Sequence, residues 1–393
     1  MISLTKFLVG TEYFGDSLRY KHGAKNNPHG TSSGNGPVVA WNMTRTCNLN
    51  CIHCYMDSEN KKYDGELTHL EAMKFINDLA DFKVPVLLFS GGEPLIREDF
   101  FQLAQEAARL KIRPTISTNG TLITPQVAKK LKEIGIGYVG ISLDGLQEVN
   151  DRIRKKDGAY EAALRGIENC VAVGQRVGLR FTINRHNYQE LDQILDLVEE
   201  ANIDRVCFYH LVYSGRGSYM QAEDLTHEET RRALDLIMER TLDFHRRGLN
   251  KEILTVDNHA DGIYLYLRLK EINPKRADEV LSLMKINGGN RSGIAFANVD
   301  SLGYVHPDQF TQKHILGNVR ERAFGDIWRD VSNPILAGLK ERKPLLKGRC
   351  STCGWLQVCN GNFRARAEAV TGDFWQADPA CYLTDEEIKK GVS

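Results

Sequence analysis

No apolar run in this sequence approaches the roughly eighteen residues needed to span a bilayer, which argues against a transmembrane segment. Residues 1–10 lack a long apolar core followed by a small-residue cleavage site, so no secretory leader is expected and the chain reads as cytoplasmic. An excess of charge is missing too, because 51 Lys and Arg balance 51 Asp and Glu. Without a global positive field there is no general attraction for nucleic acid or for a membrane surface, and partners must be argued from individual sites. Low-complexity tracts are absent, as is any internal repeat beyond an alternation of strand and helix patterns. What remains is 393 residues, 42% hydrophobic and 26% charged, ordinary for a globular chain and enough for two or three domains with real cores.

Cysteine is not scarce. Of nine, seven fall into two tight groups, a distribution that points to metal rather than to disulfides in a reduced compartment. Cys170 and Cys207 stand alone inside apolar patterns and read as small buried hydrophobes.

Between residues 37 and 212, short β-rich runs at 38–43, 84–90, 114–118, 138–143, 179–183 and 205–211 alternate with stretches of helical period such as 68–82 and 191–201. Helix starts are marked by a capping box, Thr68 with Glu71, and by Thr124 followed by Pro125. Six βα repeats of this kind predict an α/β fold in which a parallel sheet curls into a partial (β/α)6, TIM-like barrel, with chemistry at the C-terminal strand ends. Residues 1–36 read as a loop segment, from Asn26, Asn27, Pro28, Gly30, Ser32, Ser33, Gly34, Asn35 and Gly36. The barrel is assigned to 37–225. Residues 226–290 read as a connecting helical section opened by a Thr226–Glu229 capping box, and 291–393 as a C-terminal domain that begins with a hairpin-like segment at 293–305.

Cys47, Cys51 and Cys54 follow the first strand as CxxxCxxC. A structural zinc site wants four protein ligands, whereas three leave a position open for a substrate. A 4Fe-4S cubane on three cysteines likewise has one iron free. Polar motifs then recur at successive strand ends: Gly91-Gly92-Glu93-Pro94, Ser117-Thr118-Asn119-Gly120 and Ser142-Leu143-Asp144-Gly145. The three cysteines with these companions resemble the radical S-adenosylmethionine (SAM) superfamily. That resemblance implies that SAM chelates the free iron and that Tyr55 lies beside its adenine. It also implies that Gly91, Gly92, Glu93 and Pro94 receive the methionine amino group, and that Ser117, Asn119, Ser142 and Asp144 contact the ribose and sulfonium region. Arg154 would pair with the SAM carboxylate, and Asn184 would end the fifth strand as a weaker contact.

Cys350, Cys353, Cys359 and Cys381 close a site with four thiolates, which alone would suit a zinc ribbon. In company with the first group the segment resembles the SPASM extension of radical SAM enzymes, whose longer pattern binds two auxiliary clusters. Here Asp308 and Phe363 stand where that pattern has cysteines. Both departures affect one auxiliary cluster, so the resemblance implies a single auxiliary 4Fe-4S cluster on the four thiolates.

Gly10-Thr11-Glu12, Asp16 to Tyr20, Pro307 to Phe310, Gly361 to Ala369 and Asp378 to Tyr382 are similar to a branch that trims side chains of iron tetrapyrroles in haem biosynthesis. For its deacetylases the resemblance implies loss of two acetate groups from 12,18-didecarboxysiroheme to give iron-coproporphyrin through a 5′-deoxyadenosyl radical, with flavodoxin or ferredoxin as electron donor. Carboxylates on such a substrate need cationic partners, for which Arg216, Arg291, Arg364 and Arg366 are candidates. Tyr209, His210 and Tyr213 at the sixth strand end, with His306 and His314, compete as axial iron ligand or proton donor. The rival readings are an enzyme of haem d1 synthesis acting on propionates, a peptide-modifying SPASM enzyme, and a non-catalytic metal scaffold.

Overall fold

All six β-rich runs are strands. The structure, a computed structural model, describes residues 1–21 and 29–391. In chain order its strands are β1 (Ile2–Ser3), β2 (Val38–Asn42), β3 (Val86–Ser90), β4 (Arg113–Thr118), β5 (Val139–Ser142), β6 (Val177–Ile183), β7 (Arg205–His210), β8 (Glu252–Val256), β9 (Phe296–Val299), β10 (Tyr304–His306) and β11 (Gly317–Asn318). Strands β2 to β7 lie side by side in sequence order, every neighbouring pair parallel. Helices His69–Asp81, Phe100–Arg109, Pro125–Ile134, Ala159–Ala172 and Leu191–Glu200 return the chain between them.

Side chains alternate across the strands. On one face Trp41 meets Phe75 at 5.4 Å and Phe89 meets Phe100 at 5.5 Å, so the helices cover an aromatic layer. On the other face Val38, Leu88, Thr115, Arg180, Tyr209, Val256 and Phe296 line one cavity of about 300 Å³. Strands as far apart in the sheet as β9 and β8 can share a cavity only where the sheet curls, which is the geometry of the partial barrel. Among the described residues no helix is long and apolar enough to cross a membrane.

Two expectations are corrected. Residues 1–36 are not all loop: Leu4–Val9 and Phe14–Tyr20 are helices, and β1 pairs antiparallel with β8. The first helix is capped by the Ser3 hydroxyl, which accepts from the Lys6 N–H, and it buries Leu4 and Phe7 completely. Gly30 to Gly36 do run without helix or strand, whereas Asn26, Asn27 and Pro28 lie outside the described residues.

The section 226–290 does more than connect. It holds the expected helix, His227–Arg246, but also β8, which extends the parallel sheet beyond β7. At the opposite edge the hairpin of β9 and β10 is present, and β9 pairs parallel with β2. Both terminal segments are thus bonded into one eleven-stranded sheet, in the order β1-β8-β7-β6-β5-β4-β3-β2-β9-β10-β11.

Candidate active site

The loop after β2 is held in place by main-chain hydrogen bonds before any cofactor is considered. Cys47 N–H donates to Glu59 at 3.0 Å, and Ile52 N–H donates to Ile153 at 3.0 Å. Gly92 N–H donates to the Thr44 carbonyl at 2.7 Å, and Glu93 N–H to Thr46 at 2.9 Å. Here the glycines are required by close approach: a Cβ on Gly91 would lie 2.3 Å from the Thr44 oxygen, and one on Gly92 2.2 Å from the Thr46 oxygen. Arg216 clamps the loop from the far side, donating from its N–H to Cys54 and from Nε to Cys51, at 2.9 and 2.8 Å.

Cys47 and Cys51 are buried and Cys54 half-buried, and all three face one cavity with Tyr55, Ser90, Gly91, Gly92, Ser117, Asn119, Ser142 and Arg154. Their sulfurs meet donors. Leu49 N–H and Asn119 Nδ2 approach Cys47 Sγ at 3.4 and 3.9 Å, and Arg154 Nη1 approaches Cys51 Sγ at 3.5 Å. Burial pushes the Cys47 thiol up to about 12 and also raises Cys51, against the pull of Arg154. Protons held this firmly leave when a cation takes their place.

Arg154 is committed to this loop, because it also ion-pairs with Asp144, which receives His53 Nε2 at 3.1 Å and the Thr182 N–H at 2.7 Å. Burial acts to raise the Asp144 pKa, but Arg154 and His53 outweigh it and hold the carboxyl at about 2. Glu93 is fully buried and turns away from the cavity: it accepts from Thr118 Oγ1, Asn119 N–H and Leu95 N–H at 2.7, 2.8 and 3.1 Å. It fastens the end of β4 to the glycine turn. Pro94 opens a short 3-10 turn behind it. Asn184 does not line the cavity but builds the turn after β6, through Asn187, Thr182 and His186.

Tyr209 lines both this cavity and the larger one inside the barrel, and His210 lines the first, with Nε2 2.9 Å from Asp261. Arg291 lines the barrel cavity and donates to the Gly30 carbonyl at 2.7 Å. The other candidates face elsewhere. Arg364 is buried among the carbonyls of Gly361, Phe374 and Gln376, and Arg366 pairs with Asp378 at 2.9 Å while donating to Leu211 and Asp257 carbonyls. Tyr213 donates to Asp224, His306 bonds Asp300 and His314, and His314 meets Glu368. Sequence reading missed Arg180, Asp257 and Gln309, which line both cavities.

In the C-terminal segment Cys350, Cys353, Cys359 and Cys381 are brought together; the Trp355 N–H donates to Cys353 Sγ at 3.4 Å, and the main-chain N–H groups of Asp378, Asn362 and Leu383 pull the Cys350, Cys359 and Cys381 thiols down against burial. Burial, then the neighbouring thiols, push Cys359 well up. Asp308 instead closes its own turn through Phe310 and Thr311 N–H groups at 2.9 Å, and Phe363 packs with Phe310, Val212 and Ala365. Tyr55, Phe310 and Phe363 form a chain of ring contacts at 5.2 and 5.5 Å that links the two regions.

Among the described residues no three His, Cys, Asp or Glu side chains form a ready cage for a single metal ion. The donor sets therefore have to be tested on their chemistry. Three soft thiols, two of them with N–H donors, opening on a cavity bordered by the Gly91-Gly92 backbone, fit a cluster that keeps one corner for SAM; four gathered thiols fit a closed one.

Comparison with known proteins follows the same division. The profile of the Radical SAM superfamily matches residues 41–198. Fe-coproporphyrin III synthase of Methanosarcina barkeri is 54% identical over 99% of either chain. Pre-heme d1 synthase of Dinoroseobacter shibae is 45% identical, covering 89% of this chain and 87% of its own. Among solved structures, SuiB of Streptococcus suis bound to the precursor peptide SuiA superposes with a TM-score of 0.70 at 19% identity, over 88% of this chain and 76% of that one, a likeness of fold.

Proposed function

We propose, on the premise that this chain belongs to the radical SAM superfamily, that it removes the two acetate side chains of 12,18-didecarboxysiroheme to give iron-coproporphyrin III. The observation that carries this reading is the joining of two cavities. The one bearing Cys47, Cys51 and Cys54 meets the arginine-lined barrel interior at Arg180, Tyr209, Asp257, Gln309 and Phe310. The end-to-end likeness to an Fe-coproporphyrin III synthase supports the substrate.

Cys47, Cys51 and Cys54 would hold the 4Fe-4S cluster that, with SAM bound, supplies the 5′-deoxyadenosyl radical for hydrogen abstraction from a side chain. The protein's own part is positioning. Arg216 and the Gly91-Gly92 turn fix the loop, and the Asp144–Arg154 pair places a cation on Cys51. Ser117, Asn119, Ser142 and Tyr55 offer polar contacts to SAM around the cavity. The rings of Tyr55, Phe310 and Phe363 keep water from the passage between the cavities. Cys350, Cys353, Cys359 and Cys381 would hold one auxiliary 4Fe-4S cluster, serving electron transfer or substrate orientation, with flavodoxin or ferredoxin as external donor. Phe363 and Asp308, occupied structurally, support one auxiliary cluster rather than two.

Anaerobic incubation of the reconstituted protein with dithionite, SAM and didecarboxysiroheme should yield iron-coproporphyrin III. SAM cleavage without that product would overturn the assignment, and loss of propionate hydrogen instead would move the chain to haem d1 synthesis, the activity in the name of its second relative.

A further inference from the structure

Arg180 is a cation of the barrel interior that meets no carboxylate among the described residues. It sits in the middle of β6, paired in register with Ser142 on β5 and Cys207 on β7, and its side chain lines both cavities at their junction. Among the described residues no hydrogen bond or ion pair engages its guanidinium, which lies 4.5 Å from the ring centroid of Tyr209.

The contrast with the other barrel arginines is informative. Arg19, Arg176 and Arg205 lie within 3.7, 2.8 and 3.7 Å of the Glu252 carboxylate, and Arg19 also meets Asp16 at 2.8 Å, so each arginine at the floor of the barrel has a carboxylate beside it. Arg113 donates to the Gly137 carbonyl at 2.8 Å. Nothing comparable answers Arg180.

Room has been made for it. A Cβ on Gly140, which pairs with Gly178 two residues before the Ser142–Arg180 pair, would lie 2.9 Å from the Arg180 Cδ, and one on Gly178 would lie 2.4 Å from the Tyr138 ring. Two facing glycines in the middle of a sheet weaken it. Here Gly140 leaves space for the Arg180 side chain and the Tyr138 ring, and Gly178 leaves space for that ring. An enclosed charge without a counter-ion is costly to fold, and such a residue is explained when a ligand supplies the missing anion.

We propose that Arg180 binds a carboxylate of the tetrapyrrole substrate and thereby sets which edge of the macrocycle enters the cysteine-lined cavity. This rests on the tetrapyrrole reading above. A guanidinium presents a flat, two-pronged donor face that matches a carboxylate, and the Tyr209 ring stacked against it fixes the direction of that face. Because the residue stands at the junction, a side-chain carboxylate it holds lies at the entrance to the SAM cavity, with the ring extending into the barrel.

The test uses the full-length reconstituted protein and its Arg180→Gln and Arg180→Lys variants. Affinity for didecarboxysiroheme, and for coproporphyrin III as an iron-free tetracarboxylate probe, should weaken about 10- to 100-fold in Arg180→Gln, with Arg180→Lys in between. Affinity for SAM, measured by equilibrium dialysis, should stay within about twofold, and the ligand-free Arg180→Gln protein should melt at or above the wild-type temperature, because an uncompensated charge has been removed. A structural role would instead lower melting and leave the tetrapyrrole affinities alone. Equal tetrapyrrole affinity in wild type and Arg180→Gln overturns the proposal, and an equal fall in SAM affinity reassigns the arginine to SAM. Should the wild type fail to convert didecarboxysiroheme yet bind coproporphyrin III with this dependence, the activity reading fails and Arg180 stands. If the wild type binds neither tetrapyrrole, both fall.

Discussion

Asp257 sits where the two cavities meet, one of its carboxyl oxygens buried without a hydrogen-bond partner. Burial raises its pKa to about 6, against the pull of the N-terminal amine and Arg366. A folded pKa above the ordinary aspartate value of 3.8 means that the group favours folding most below about pH 4, and that this contribution is lost as pH rises through about 6. At about 1.4 kcal/mol for each pH unit between the two values, the contribution reaches at most about 3 kcal/mol. Asp257→Asn is therefore expected to raise the melting temperature at pH 7.5, and to flatten the fall in stability between pH 4 and pH 6. An unchanged pH profile in calorimetry would show that the carboxyl is solvated. The opposite outcome is expected at Asp378, which closes a fully buried pair with Arg366. Asp378→Ala leaves that guanidinium uncompensated and should cost about 3–5 kcal/mol in denaturant unfolding. A cost below about 1 kcal/mol would show that the two carbonyls on Arg366 already satisfy it. The cysteines were legible as residues because thiols in a fixed spacing have few other uses. Arg180 was not, because an arginine within a β-rich run reads as facing water, and only the curl of the sheet turns that face inward.

At the scale of elements, the six runs and the helices expected at 68–82 and 191–201 were legible to within one or two residues, since apolar strand runs and capping boxes are local signals. The helix at 68–82, for example, is observed as His69–Asp81 with Thr68 and Glu71 capping each other. Missed strands are those at the edge of the sheet beyond β7. β1 has two residues and β8 five, and both exist because a neighbouring strand completes their hydrogen bonds, which no local pattern reveals. The glycine turn after β3 is legible as a motif, and the structure adds its main-chain and side-chain partners. Its glycines let the backbone meet the Thr44 and Thr46 carbonyls, and its Glu93 is consumed by β4. Gly92→Ala therefore displaces the cysteine loop itself. On the proposed two-cluster reading, iron content after reconstitution should drop from about eight to about four per chain. Full iron with intact SAM cleavage would show that the loop tolerates the methyl group.

Across the whole molecule, the barrel and the C-terminal segment, divided in the sequence by strand alternation and cysteine spacing, share one sheet. β9 extends the barrel sheet past β2, and the contacts from Tyr55 through Phe310 to Phe363 run from the cysteine loop to the C-terminal segment. Asp308, where the resemblance expects a cysteine, closes its own turn, and Phe363, at the other such position, packs against Phe310. The tetrapyrrole itself could be read only by resemblance, because carboxylate-binding arginines have no spacing rule. The proposed chemistry stands or falls on whether hydrogen is taken from a tetrapyrrole side chain by a radical generated at Cys47, Cys51 and Cys54. The mass of the 5′-deoxyadenosine formed with didecarboxysiroheme deuterated along its acetate side chains decides this. Deuterium is expected in that product, with no 5′-deoxyadenosine at all when the three cysteines are replaced by alanine; unlabelled 5′-deoxyadenosine accompanying full conversion of the substrate would refute the hydrogen abstraction.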